Sequence, residues 1–181
     1  LVINQTVEND IPTYAKMNIA TSRKLKQLLF IISQSVPFKP NYTEIGAAMV
    51  CDRGTVADLT FHLEKSRLLM LLRHQDDGMK NLGKLEKLYL GNTKLIYALS
   101  EGKPDVGNLR ETFFLSQMQV NQEVYASKAA DFLINGKTFE VGGKSKSKKQ
   151  IAELKDAFVV KDDIEYGCEN TIPLWHFGMG Y

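Results

Sequence analysis

Residues 129–150 read AADFLINGKTFEVGGKSKSKKQ, and the Asn135-Gly136 pair inside them decides how the fold is read. The pair lies between two short strand-like runs, residues 130–134 and 137–141. Asn-Gly in that setting predicts a type I′ hairpin, because the turn needs positive φ at both central residues. A two-residue loop fixes the register, with Ile134 opposite Lys137, Leu133 opposite Thr138, Phe132 opposite Phe139 and Asp131 opposite Glu140. Directly opposed side chains share a face, with Cβ atoms about 5 Å apart. Two carboxylates so placed repel each other unless something compensates them. A divalent cation can do so, since carboxylate oxygens suit magnesium and manganese. A solvated face with long charged neighbours is the plainer alternative.

At 181 residues the chain can form one good core or two small domains. Its 44% apolar and 24% charged content is that of an ordinary soluble globular protein, and a net charge of +2 commits it to no partner. Cys51 and Cys168 match no metal spacing and read as free thiols in a reducing compartment, so a cytoplasmic location is expected. No run approaches the roughly 18 apolar residues of a membrane span, and no signal peptide is visible, so no membrane partner is expected. The chain begins at Leu1 without an initiator methionine, which leads to the expectation of a fragment whose missing part holds the main activity. An oligomer is left open.

Residues 1–20 have weak periodicity, interrupted at Ile11-Pro12, and read as a linker or arm. Thr21 or Ser22 is expected to cap a helix with Leu25, Leu28, Leu29 and Ile32 on one stripe, stopped by Pro37. Asn41 caps a second helix, with Glu44 placed as in a capping box and Ile45, Ala48 and Met49 as its buried face. Asp52 opens a third, with Val56, Leu59 and Leu63 at i, i+3 and i+7. Residues 68–72 then read as a strand, Asp77-Gly78 as a connection, and residues 84–90 as a second strand. Three short helices followed by a two-stranded ribbon is the order of a winged helix-turn-helix over residues 21–99, whose third helix can enter the major groove of DNA. Arg53, Thr55, Asp58, His62 and Lys65 are its outward residues. Residues 52–65 carry a net charge of −1, a poor footprint for phosphates, whereas Arg67, Arg73, Lys80, Lys84 and Lys87 of the ribbon suit them better. Docking or spacing is the rival role for this unit.

Residues 92–99 read as a helix, and the loop 100–106, with Gly102 and Pro104, as the domain boundary. The second domain, residues 107–181, opens with a helix over 107–119 whose Leu109, Phe113 and Phe114 face a core, while Glu111 lies off that stripe. A strand at Val124-Tyr125, the hairpin, a helix with Ile151 and Leu154 on its buried edge, a strand at 157–160 and a closing segment 172–177 with Trp175 follow. Lys144, Lys146, Lys148 and Lys149 form either a solvated loop or a phosphate clamp. Gly143-Lys144-Ser145 imitates the tail of a P-loop, but Thr138 stands where its first glycine belongs, so no nucleotide site is expected in this chain. His62, His74 and His176 are scattered and read as structural.

The fold class is thus α/β in the broad α+β sense. Helix, three strands, helix, strand, with Glu111 on the first helix, Asp131 on the second strand and Glu140 on the third, resembles the PD-(D/E)xK, or restriction-endonuclease-like, fold. The whole chain resembles the C-terminal region of bacterial ATP-binding proteins of the AAA superfamily, in which a winged helix and a nuclease-fold domain of unknown function follow the ATPase. The stretches that carry this are KLYLGNTKLIYAL at 87–99, GNLRETFF at 107–114, DFLINGKTFEVGGKSKSKKQI at 131–151 and IPLWHFG at 172–178.

The resemblance implies that Asp131 and Glu140 hold magnesium or manganese and that a lysine two residues after the glutamate helps activate water. Metal and lysine lower the cost of making hydroxide and steady the pentavalent phosphate. Gly142 stands at that lysine position. Lys144 has the right parity, but continued extension puts it about 13 Å along the strand from Glu140, unless a bulge at Gly142-Gly143 brings it closer. Gln150 falls where related exonuclease-like members place a helix glutamine near the site. The preferred expectation is a DNA-interacting or regulatory module of an AAA-superfamily ATPase, with a degenerate nuclease site. Its DNA contacts are expected from Arg53, Thr55, Lys65, Arg73, Lys146, Lys148 and Lys149, and its partners are double-stranded DNA and an N-terminal ATPase domain. One alternative is a metal-dependent nuclease using Asp131, Glu140 and Lys144 with Glu111 assisting. The other is a protein-interaction scaffold.

Overall fold

Five polar side chains decide where the main helices begin. Each precedes a helix and accepts a hydrogen bond from a backbone N–H in its first turn: Asn18 from Thr21, Asn41 from Thr43, Asp52 from Thr55, Asn92 from Leu95 and Asp105 from Asn108. The structure is a computed structural model that describes residues 2–75, 85–100 and 102–179. Among these residues it is a mixed α+β protein with seven α-helices and a seven-stranded mixed sheet. The helices are α1 (Val2–Gln5), α2 (Ile11–Ala15), α3 (Ile19–Ser33), α4 (Tyr42–Met49), α5 (Arg53–Lys65), α6 (Thr93–Leu99) and α7 (Val106–Met118). The strands are β1 (Leu69–His74), β2 (Leu85–Leu90), β3 (Tyr125–Ala126), β4 (Phe132–Ile134), β5 (Lys137–Gly142), β6 (Ala157–Lys161) and β7 (Thr171–Pro173), in sheet order β2-β1-β3-β4-β5-β6-β7. The chain divides into two units, Leu1–Leu71 with Leu88–Lys103, and Leu72–Lys87 with Pro104–Tyr181.

In the first unit, Leu25, Leu28, Leu29 and Ile32 of α3 and Val56, Leu59 and Leu63 of α5 are buried at helical spacing. Asn18, rather than Thr21 or Ser22, caps α3, because its Oδ1 takes both the N–H and the hydroxyl of Thr21. Residues 2–15 are helical, with a π-turn at Thr6–Asp10 between α1 and α2. Val7 and Ile11 bury themselves against α3, so the segment read as an arm belongs to this core. In α4 it is Gly46, not Ala48, that is buried with Ile45 and Met49. The Asp77-Gly78 connection, Lys80 and Lys84 lie outside the described residues.

In the second unit, Asn135 and Gly136 take φ values of 50° and 76°, the left-handed pair that the hairpin requires. The register is the one the turn dictates, with Phe132 opposite Phe139, Leu133 opposite Thr138 and Ile134 opposite Lys137. Antiparallel β3-β4-β5 is flanked by parallel pairing of β5 with β6 and of β6 with β7. Phe114 of α7 packs its ring 5.1 Å from Phe132, 5.5 Å from Phe139 and 4.8 Å from Phe177, which joins helix, hairpin and closing segment into one core. The helix expected around Ile151 and Leu154 is a single 3-10 turn, Lys149–Ile151, with Ile151 buried and Leu154 exposed. Trp175 is likewise exposed, and Leu174 takes the buried place in the closing 3-10 segment.

Candidate functional site

Period-two alternation puts Glu140 on the opposite face of β5 from Phe139, which enters the aromatic core. Glu140 is nevertheless only 2% exposed, a rare environment for a carboxylate. Three features meet it there. Asp131, just before β4, fixes one oxygen by accepting the N–H of Val141 at 2.9 Å. Glu111 of α7 lies close enough that its charge raises the pKa of Asp131. Lys146 pairs with Glu140 through Nζ and Oε1. The other Glu140 oxygen, Oε2, is buried without a hydrogen-bond partner.

The route of Lys146 explains Gly142. Strand β5 ends at Gly142, and a turn follows in which the N–H of Lys146 donates to the carbonyl of Gly143 at 2.9 Å. The turn sends the Lys146 side chain back across Gly142. A Cβ on Gly142 would lie 2.6 to 2.8 Å from Cδ, Cγ and Cβ of that lysine, so no larger residue fits beneath it. Lys144 sits at the exposed tip of the turn, where its carbonyl accepts Lys161 Nζ at 3.2 Å. The lysine that reaches Glu140 is therefore Lys146, six residues on and of the same parity, and not Lys144. On the other side, Lys87 of β2 reaches Glu111 at 3.2 Å and Asp131 at 3.7 Å.

The electrostatics follow from this packing. Burial raises the Asp131 pKa to about 6, and the Glu111 and Glu140 charges push the same way against the Val141 N–H and Lys87. Burial works against a charged Lys146, but the hydrogen bond and charge of Glu140, with the charges of Asp131 and Glu111, outweigh it and leave the net shift upward. Lys146 is thus held as an ammonium. All three acids offer hard oxygen donors, and the unpartnered Glu140 Oε2 is an acceptor a hard cation would satisfy. Among the described residues no three His, Cys, Asp or Glu side chains are arranged to hold a metal together.

The other sequence-selected residues lie apart from this cluster. Gln150 is exposed in the 3-10 turn. Lys148 pairs with Glu169 at 2.9 Å, and Lys149 is exposed. Arg73 is half-buried in β1, opposite Tyr125 of β3. In the first unit, Arg53 is exposed at the start of α5, whereas Thr55 gives both its N–H and its hydroxyl to Asp52. Lys65 hydrogen-bonds the Tyr14 hydroxyl and lies 4.4 Å from that ring centre. Lys87, read only as a ribbon residue that suits phosphates, carries no local signal of its place beside the acids. Lys146 did carry one, a shared parity with Glu140 across a side-chain-free Gly142.

Among the described residues no helix is long and apolar enough to cross a membrane. No curated protein and no solved structure gives a significant match to the chain. A family model does match, over residues 2–138, which takes in Lys87, Glu111 and Asp131 and stops short of Glu140. The chain belongs to that family, whose description is domain of unknown function (DUF8612).

Proposed function

We propose that the second unit is a metal-dependent nuclease domain of restriction-endonuclease-like fold. The first unit, in this reading, is a winged helix-turn-helix, and the chain works on duplex DNA as the C-terminal part of an AAA-superfamily ATPase. The observation that carries the reading is Lys146 lying across Gly142 onto a buried, half-satisfied Glu140. A lysine two residues beyond the glutamate is what the resembling fold uses, and the glycine there had spoken for a dead site. The turn at 143–146 supplies an ammonium from further along the chain instead. The succession α7-β3-β4-β5-β6 supports the nuclease fold, and α3-α4-α5-β1-β2 supports the winged helix.

Asp131 and Glu140 would hold magnesium or manganese, which supplies Lewis-acid polarisation of a phosphoryl oxygen. The protein's own groups do the rest. The Val141 N–H holds Oδ2 of Asp131, which orients its carboxylate. Lys146, kept protonated, cannot take a proton from water; it donates to water and to a phosphate oxygen and stabilises charge that builds up there. Lys144 and Lys149, both exposed in the second unit, attract the phosphate backbone. Plasmid DNA with magnesium or manganese should be nicked or linearised, and Asp131→Ala with Glu140→Ala should abolish this. Cleavage that survives the double substitution rejects the reading. Lys146→Gln should slow cleavage by about 10²- to 10³-fold, the scale of a lost charge-stabilising donor, and Lys144→Gln should leave it nearly unchanged.

A second reading, a regulatory DNA-binding module whose acids are structural, has one observation in its favour: each acid already faces an ammonium. It expects DNA binding with a steep salt dependence and no cleavage with either metal.

A further inference from the structure

Two adjacent glycines follow one another at the end of β5, and each makes room for a different side chain. Lys146 crosses Gly142. The guanidinium of Arg110, from α7, covers Gly143: a Cβ there would lie 3.0 to 3.2 Å from its Nη1, Cζ and Nη2. Arg110 is itself braced. Its Nε donates to Oδ2 of Asp162 at 2.9 Å, and its Nη2 reaches Oδ2 of Asp163 at 3.5 Å. The Arg110 side chain is 19% exposed, so salt screens this pairing less than it screens a surface pair. Asp162 also fixes the strand end directly, since its backbone N–H donates to the carbonyl of Gly142 at 2.9 Å. One residue just past β6 thus holds both the end of β5 and the arginine that lies over it.

A lysine has a flexible four-carbon stem, and nothing in the stem aims it. The turn supplies the direction. Its own hydrogen bond, from the Lys146 N–H to the Gly143 carbonyl, ends on the residue that Arg110 covers. Glycines at 142 and 143 give an unsupported turn many other conformations. We propose that Arg110 is a positioning residue for Lys146: braced by Asp162 and Asp163, it holds the turn at 143–146 in the direction from which the ammonium reaches Glu140. This role goes beyond the proposed activity and holds whether or not the centre cleaves DNA. It rests on the pair of Lys146 with Glu140 and needs no bound ion.

Acylation of the lysines of the 181-residue chain by an N-hydroxysuccinimide acetate, read residue by residue by peptide mass spectrometry, tests this without any activity readout. Lys146, paired with Glu140, should react slowly, and Lys137, exposed at the other end of β5, serves as the reference. Arg110→Met should speed Lys146 by about tenfold, the scale of one lost hydrogen bond to a charged group, and leave Lys137 unchanged. The sign separates position from charge, because losing a neighbouring cation alone makes Lys146 hold its proton more tightly and slows its acylation. Arg110→Lys keeps the charge without the planar fork and should also speed Lys146. Gly143→Ala keeps Arg110 but pushes its guanidinium aside; it should do the same, and it guards against an Arg110 variant that fails to fold. Unchanged or slower Lys146 in a folded Arg110→Met or Gly143→Ala overturns the inference. So does a rise shared equally by Lys137, which reports general loosening. The expected rates in a chain that cuts no DNA with either metal keep Arg110 in this role and reject the nuclease reading alone.

Discussion

The outward face of α5 and the acid cluster beside β5 both looked functional, and they differ in what their polar groups have left to give. On α5 Arg53, Asp58 and Lys65 are exposed and Thr55 and His62 half-buried, but two of these candidates are already used by their surroundings: Thr55 closes the helix cap with Asp52, and Lys65 stacks on Tyr14 and bonds its hydroxyl. Beside β5 Glu140 is buried and Asp131, Glu111 and Lys146 are half-buried, and Glu140 Oε2 has no hydrogen-bond partner. A buried acceptor without a partner costs about 1–3 kcal/mol, more when it is charged, so a protein that keeps one has a reason to. Exposure alone says little about a binding role; unmet hydrogen-bonding capacity says much more.

The sharpest way to break this contrast is to remove the ammonium that covers Glu140. Lys146→Met leaves a charge that is 2% exposed without its partner, and breaking a buried pair from one side costs roughly 3–5 kcal/mol. Urea denaturation at neutral pH should show that loss. Lys146→Met with Glu140→Gln should recover most of it. A cost below about 1 kcal/mol in the single variant, the range of surface pairs, would place the pair in solvent and remove the contrast.

Next in size is a pH effect at Asp131. Its native pKa of about 6 lies above the ordinary value of 3.8 because burial and the Glu111 and Glu140 charges oppose ionisation, with Lys87, Lys146 and the Val141 N–H on the other side. The native state therefore holds its proton more tightly than the unfolded chain between those two values. Stability from this group is fully present below about pH 4 and is lost as the pH rises through about 6. The gap between the two values corresponds to about 3 kcal/mol. The metal-free protein should lose that much between pH 4 and 7, Asp131→Asn should flatten the profile, and saturating magnesium should restore the stability at pH 7 if the ion binds there. A profile unchanged by Asp131→Asn would show that the carboxyl is not held as described.

What the sequence made legible, and what it hid, follows the same divide between local and long-range causes. The hairpin register was readable because Asn135-Gly136 encodes its own backbone geometry. The α4 and α5 starts were readable because Asn41 and Asp52 cap through neighbours two or three residues away. The pairing of Glu140 with Lys146 instead of Lys144 depends on a turn that reverses the chain after Gly142, and extended-strand spacing misses such a reversal. The place of Lys87 beside Glu111 was invisible, since 24 residues separate them and only the tertiary fold unites them. The burial of Val7 and Ile11 in residues 2–15 was hidden for a similar reason, because that segment earns its helix from packing on α3 rather than from periodicity.

A smaller effect sharpens the α5 side. Val50, between α4 and α5, holds φ at 50° and is 87% exposed. A β-branched residue in the left-handed region is strained, and glycine relieves that strain. Val50→Gly gives up almost no burial there, so it should stabilise the protein by about 1 kcal/mol, read as a shifted denaturation midpoint. An unchanged or lower midpoint would mean that Val50 does not cap α4 in this conformation.

The smallest expected effect is the most pointed, because it is close to zero. If Lys65 is committed to Tyr14, it is not available to a phosphate, and Lys65→Gln should leave the salt dependence of DNA binding as it was. Lys149→Gln removes an exposed charge of the second unit and should lower the slope of log K against log salt by about 1, one phosphate contact fewer. The two substitutions remove the same charge from the same chain, so any difference between them reports position and not net charge. Equal slopes for the two variants, both below the native value, would mean that Lys65 leaves Tyr14 when DNA arrives. Then α5 would be the working face, and the unmet capacity beside β5 would need another explanation.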